Sequence, residues 1–203
     1  MNQTATGPDR IAAELAADLD AGFAALFEAH QHVLFSTALR ICGRWADAED
    51  LTAMAFLRAF RALSGYDRER IAALRTRPWL LTILLNAWRN QVRTAARQPR
   101  VVLDAELPEP EARGASVEAQ AERHETSREL AALLDLLPDR QRVAVVLRHV
   151  ADPPIAEVAS VLGCPPGTAK SHVSRGLRRL RELKAARVRP DDPALNTEEV
   201  KVS

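Results

Sequence analysis

Cysteine is scarce, aromatics are few and long apolar runs are absent, and each shortage removes a class of protein. Cys42 and Cys164 lie far apart and form no CxxC pair. That speaks against a disulfide framework or a zinc site and fits a reduced, cytoplasmic setting. Cys42 reads as a small buried apolar residue and Cys164 as a turn residue. No window approaches the ~18 consecutive apolar residues of a membrane span. The N-terminus MNQTATGPDR has no cationic stretch followed by an apolar one, so neither an export signal nor membrane insertion is expected. There is no Gly-rich phosphate loop, no Cys/His cluster and no Ser/His/Asp arrangement, so no catalytic residue, metal or cofactor is expected. Charge is nearly balanced, 28 Lys and Arg against 27 Asp and Glu, but its distribution is not even.

The unevenness is sharpest in PIAEVASVLGCPPGTAKSHVSRGLRRLR, from Pro154 to Arg181. Ile155, Val158, Ala159 and Leu162 follow the i, i+3, i+4, i+7 spacing of a helix with one buried face. Gly163 suits the left-handed residue that ends a helix, and Cys164-Pro165-Pro166 cannot continue it. A second helix then buries Ala169, Val173, Leu177 and Leu180, leaving Thr168, Ser171, Arg175, Arg178 and Arg179 on the opposite face. From Pro165 to Arg189 there are eight basic residues against the single acid Glu182. This is the pattern of a helix-turn-helix facing a polyanion; the plainer alternative is a solvated helix pair in a bundle.

Upstream, residues before Asp9 read as a frayed tail and IAAELAADL as a short helix. Phe23, Leu26, Phe27, His30, Leu34, Ala38 and Ile41 keep a 3.6 period up to Gly43. His30 lies on the core face, packed and hydrogen-bonded, and His32 points elsewhere, so the two make no helical metal pair. A helix starting near Asp47 is expected to bury Ala53, Phe56, Leu57, Phe60 and Leu63 and to expose Asp47, Asp50, Met54, Arg58 and Arg61. Residues 64–77 read as a loop with one helical turn at Ile71 to Leu74. Pro78 opens a helix on which Thr82, Asn86, Arg89, Asn90 and Arg93 form one amide and guanidinium stripe. Amides pair with base edges, and Arg holds phosphates or stacks on bases; an ordinary solvent face would more often carry Glu and Lys.

Between Gln98 and Thr126 the pattern dissolves among prolines and seven acids, Asp104, Glu106, Glu109, Glu111, Glu118, Glu122 and Glu125. This composition predicts a flexible linker. Periodicity returns at Leu130, Leu133, Leu134 and Leu137, and again at Val143, Val146, Leu147 and Val150. The expected fold is all-α: two small helical domains joined by a flexible acidic linker. The boundaries fall at 1–20 for an N-terminal tail and short helix, 21–97 for the first domain, 98–126 for the linker, 127–187 for the helix-turn-helix domain and 188–203 for a C-terminal tail.

Four stretches taken together, WADAEDLTAMAFLRAFRAL, RPWLLTILLNAWRNQVR, LPDRQRVAVVLRHV and IAEVASVLGCPPGTAKSHVSRGLRRLRE, resemble in their order a bacterial RNA polymerase sigma factor of the extracytoplasmic-function (ECF, group IV) class. The segment PPGTAKSHVSRGLRRL also resembles the C-terminal domain of LuxR-type response regulators, so the first half discriminates between the two. The resemblance implies a sigma2-like first domain and a sigma4-like second. It implies that Asp47, Glu49, Asp50, Met54 and Arg58 dock on the β′ clamp helices of core polymerase, with the β flap as a second contact. It implies that Asn86, Arg89, Asn90 and Arg93, with Tyr66 and Arg68 in the preceding loop, engage the melted minus-10 strand. By helical phase, Thr168, Ser171 and Arg175 would reach minus-35 bases while Lys170, Ser174, Arg178 and Arg179 hold phosphates. The chain departs from the family at Ala53-Met54, where Gln-Glu is usual. Promoter DNA and an anti-sigma factor are further implied partners. The competing reading is a free-standing helix-turn-helix regulator whose first half is a sensor or dimerisation bundle.

Overall fold

The computed structural model describes residues 9–95 and 129–188. The linker expected at 98–126, residues 1–8 at the N-terminus and all but the start of the C-terminal tail lie outside the described residues. Within them the chain is helical throughout, with no strand. In order the elements are α1 (Arg10–Ala17), α2 (Leu19–Cys42), α3 (Trp45–Leu63), α4 (Arg68–Ala72), α5 (Thr76–Ala95), α6 (129–135), α7 (Asp139–Val150), α8 (Ile155–Leu162) and α9 (Pro166–Val188).

Local chemistry sets the boundaries. Asp18 caps α2 through Asp20 and Ala21 N–H. Gly43 ends that helix at φ 74°, and Gly163 ends α8 at φ 67°, a left-handed conformation that costs glycine little. Pro166 occupies the first position of α9, where no amide donor is needed. The expected turn at Ile71 to Leu74 is instead a short helix from Arg68, capped by the Asp67 carboxylate on Arg70 N–H at 2.7 Å. The fifth helix begins at Thr76, two residues before Pro78, which sits in the first turn where proline is tolerated.

The phase of α3 departs from expectation. Its buried residues are Ala48, Leu51, Thr52, Ala55, Phe56, Ala59 and Leu63. Ala53 and Leu57 face outward, Leu57 being 50% exposed, and Phe60 is only half-buried. Met54, expected outside, is half-buried against the core. The physical reason is the row of small residues: Ala48, Thr52, Ala55 and Ala59 let α3 lie close against α2. A reading that sends the largest apolar residues inward misses such a seam. Phe23 meets Phe60 at 5.0 Å and Phe56 at 6.3 Å between ring centroids, Phe27 meets Phe56 at 4.8 Å, and these rings close one edge of the seam.

The first helix packs across α2 and onto α4. A Cβ at Gly22 would lie 2.5 Å from the Leu15 backbone, so the crossing requires glycine. Asp9 ties this helix to α5: one carboxylate oxygen accepts from Ile11 and Ala12 N–H, and the other from Thr76 N–H and Oγ1, both at 2.7 Å. Buried His30 places Nε2 3.1 Å from the same Thr76 Oγ1. That hydroxyl already donates to Asp9, so the imidazole donates from Nε2, as a neutral ring can. Burial, only partly offset by the Asp9 charge and aided by Arg77, lowers the His30 pKa from its ordinary value.

Helices α6 to α9 form the second unit. A Cβ at Gly176 would fall 2.6 Å from Val145 Cγ2, so α7 and α9 also cross at a glycine. The two units share one buried core, which runs from Leu26, Leu51, Leu80 and Leu84 into Leu134, Val146, Leu147 and Val158.

Candidate nucleic-acid interface

The face expected on α9 is presented as one surface. Ala169, Val173 and Gly176 are buried, whereas Thr168, Lys170, Ser171, Ser174, Arg175, Arg178 and Arg179 are all exposed. Lys170, Ser171, Ser174, Arg175 and Arg178 line a shallow depression. Ser171 Oγ donates to Gly167 C=O at 2.9 Å, which leaves its oxygen free to accept. Arg178 and Arg179 share the Glu182 carboxylate at 3.9 and 3.5 Å. Exposed pairs of that kind are weak and yield readily to a phosphate. On the inner face of the helix Ala169 is fully buried, and Gly176 brings the α7 backbone close at Gln141.

The α5 stripe is also placed on one side of its helix, and it is internally bonded. Thr82 is half-buried, its hydroxyl donating back to Pro78 C=O of the same helix at 2.8 Å. Arg89 Nη1 donates to Asn86 Oδ1 at 3.3 Å, and Arg93 Nη2 to Asn90 Oδ1. Asn86, Asn90 and Arg93 are exposed, whereas Arg89 is half-buried and its Nη2 reaches Leu162 C=O at the end of α8, at 3.4 Å. Burial, then the neighbouring Arg140 guanidinium, lowers the Arg89 pKa. Asp139 of α7 joins Asn86, Arg89, Asn90 and Arg93 around a groove.

Tyr66 is half-buried in the loop before α4. Arg70 stacks on its ring, 3.7 Å from the centroid, and Trp79 of α5 lies 6.4 Å away between centroids. Arg68 is exposed at the first position of α4. Arg70 was not legible as a partner because a five-residue helix leaves no usable periodicity.

On α3, Glu49 and Asp50 are exposed, Asp47 is half-buried with Arg44 at 3.9 Å, and Met54 and Arg58 are half-buried. Leu57, assigned inward by its hydrophobicity, stands among them on the outer face. With half-exposed Phe27 on α2 it supplies the apolar surface that the acids alone lack.

A face of cations and hydroxyls on α9 and a stripe of amides and guanidinium groups on α5 thus stand on separate helical units of one chain. The comparisons are specific. Residues 26–98 match the profile described as Sigma-70 region 2, and residues 127–180 that of Sigma-70, region 4. The chain is 33% identical over 152 residues to the RNA polymerase sigma-E factor of Streptomyces avermitilis, covering 75% of this chain and 79% of that protein. It is 28% identical over 174 residues to the ECF RNA polymerase sigma factor SigW of Bacillus subtilis, with 81% and 89% covered. Against the ECF RNA polymerase sigma factor SigE of Mycolicibacterium smegmatis it is 33% identical over 164 residues, spanning 79% of this chain and 60% of the relative. Its fold resembles that of CnrH in complex with the cytosolic domain of CnrY, with a TM-score of 0.64 at 24% identity over 87% of this chain and 96% of the other. The chain belongs to the sigma-70 family of RNA polymerase sigma factors, among its ECF members.

Proposed function

We propose that the chain is a non-catalytic initiation subunit of RNA polymerase, working in the cytoplasm. Its outer α3 face, with Asp47, Glu49, Asp50, Met54, Leu57 and Arg58, docks on the β′ clamp helices, and the second unit meets the β flap. The α9 face then fixes the minus-35 duplex. Thr168, Ser171 and Arg175 read base edges, and Lys170, Ser174, Arg178 and Arg179 neutralise phosphates, which positions the helix without specifying sequence. The stripe of Asn86, Arg89, Asn90 and Arg93, with Tyr66 and Arg68 nearby, holds the opened minus-10 strand. Unpairing costs a few kcal/mol, which amide contacts and stacking on the strand offset. An anti-sigma factor is a fitting regulator of such a subunit.

The observation that carries this reading is the exposed cationic and hydroxyl face on α9 and the amide and guanidinium stripe on α5, beside a third, acidic and apolar face on α3. A free-standing regulator needs only the α9 face. No helix among the described residues is long and apolar enough to cross a membrane. Run-off transcription with core polymerase on a genomic promoter pool tests the proposal: discrete transcripts that require the chain support it, and a chain that binds DNA but confers no initiation on core enzyme supports the regulator instead.

A further inference from the structure

The amide stripe of α5 has a neighbour of different chemistry at its N-terminal end. Trp79 lies two turns before Asn86, so it falls within about 20° of it in helical phase and about 10 Å from it along the axis. Beside Trp79, the loop between α3 and α4 carries a stack of its own. Tyr66 N–H donates to Leu63 C=O at 3.0 Å, which turns the chain out of α3. Asp67 then caps α4 by accepting from Arg70 N–H at 2.7 Å, and its carbonyl accepts from the N–H of buried Ile71 at 3.0 Å. With the backbone fixed on both sides, the Arg70 side chain lies back over the Tyr66 ring, 3.7 Å from the centroid. The Trp79 ring stands 6.4 Å from that of Tyr66, tilted by 57°.

From this geometry we infer that Arg70 is a base-stacking residue: its guanidinium, held flat on Tyr66, is the surface on which one base of the opened strand stacks. The inference rests on the proposed strand-holding role of the α5 stripe. Among the described residues the guanidinium has the Tyr66 ring as its partner and no carboxylate within ion-pair reach. Arg70 is exposed, so the plane turned away from the ring is open to solvent. A planar, delocalised and weakly hydrated cation stacks on π faces, and a base laid on the open plane completes a sandwich of base, Arg70 and Tyr66. The same contact covers one face of Tyr66, so a base reaches that face only by displacing Arg70. The tyrosine thus orients the arginine, and the arginine meets the base. The position fits the path of the strand, because the stack stands beside the end of the stripe. The ~10 Å from Asn86 to Trp79 corresponds to about three nucleotides at the ~3.4 Å spacing of a stacked strand.

The test uses the full chain with core polymerase and a promoter selected by run-off transcription. The minus-10 segment of the template is opened beforehand by mismatches, and an abasic site is placed at each non-template position of that segment in turn. Arg70→Lys keeps the charge and loses the plane. On the intact strand it should weaken binding by at least about fivefold, the lower end of what one base stack contributes. At one abasic position the wild-type chain should suffer a similar loss and Arg70→Lys should add nothing to it, because base and plane belong to one contact. Unchanged binding of Arg70→Lys to the intact strand overturns the inference. So does an added loss of the same size at every abasic position, which marks a structural effect. Asn86→Ala/Asn90→Ala on the same template separates the two ideas: if it weakens binding while Arg70→Lys does not, only the Arg70 contact fails, and if neither weakens it, the strand-holding role fails as well.

Discussion

Replacing Asp9 by alanine removes four hydrogen bonds at once, two to the N-terminus of α1 and two to Thr76 at the start of α5. Loss of an N-cap typically costs about 1 kcal/mol. The two 2.7 Å bonds to Thr76 are made by a carboxylate, and bonds to charged groups contribute about 1.5–3 kcal/mol each. Asp9 is partly solvated and water replaces some of this, so the expected loss is about 3 kcal/mol. Equilibrium unfolding in urea at pH 7.5 measures it. With a slope of about 2–3 kcal/mol per molar, the midpoint should fall by about 1 M. Asp9→Asn keeps one acceptor oxygen and should lose about half as much. A midpoint within about 0.2 M of the parent for Asp9→Ala would refute the reasoning, because it would mean that α1 is not fastened to α5 through this carboxylate.

His30 is buried with a lowered pKa, so the unfolded chain takes up a proton before the folded one does. Its contribution is complete above the unfolded value near ~6.5 and is lost as pH falls through the lower folded value; His30→Gln, which can still donate to Thr76, should flatten the acid limb of a stability–pH curve. At Gly176 an added Cβ would meet Val145 at 2.6 Å, and Gly176→Ala should lose about 1 kcal/mol in urea unfolding, overpacking of about 1–3 kcal/mol outweighing a gain in helix propensity of about 1. Arg175→Ala should relax promoter choice by about 1–3 kcal/mol of discrimination while Lys170→Ala weakens binding evenly, compared by competition on matched and mismatched duplexes; equal losses on both duplexes for Arg175→Ala would contradict the base-reading role.

Helices with a clean 3.6 period were legible in the chain, and so were their ends. Gly43 and Gly163 sit at the left-handed caps that the sequence called for, and the α9 face emerged complete because its cations and hydroxyls share one phase. The seam of α3 was not legible, since alanines carry little hydrophobic signal and the larger Leu57 drew the reading inward. Gly176 was equally silent: its role is a distance to a residue 31 positions earlier, Val145, and nothing local marks it. Asp9 stood in the sequence only as the limit of a frayed tail, and its bonds to Thr76 span 67 positions. The docking of α8 on α5 through Arg75 and Glu157 likewise joins residues 82 apart. Such contacts depend on how helices are brought together, which periodicity within a helix does not encode. The regularity that exposed the stripe on α5 therefore showed five polar residues along one face, and not that one of them, Arg89, was already engaged.

Permanganate reactivity of unpaired thymines on a promoter selected by run-off transcription tests the central claim most directly. Core polymerase with the chain should open the non-template strand at the minus-10 element, and core polymerase alone should not. Asn86→Ala/Asn90→Ala should diminish the opening while leaving the upstream footprint in place, and Lys170→Ala should diminish both together. Full opening by the Asn86→Ala/Asn90→Ala chain, or opening by core polymerase without the chain, would contradict an account in which α9 fixes the duplex and α5 holds the melted strand.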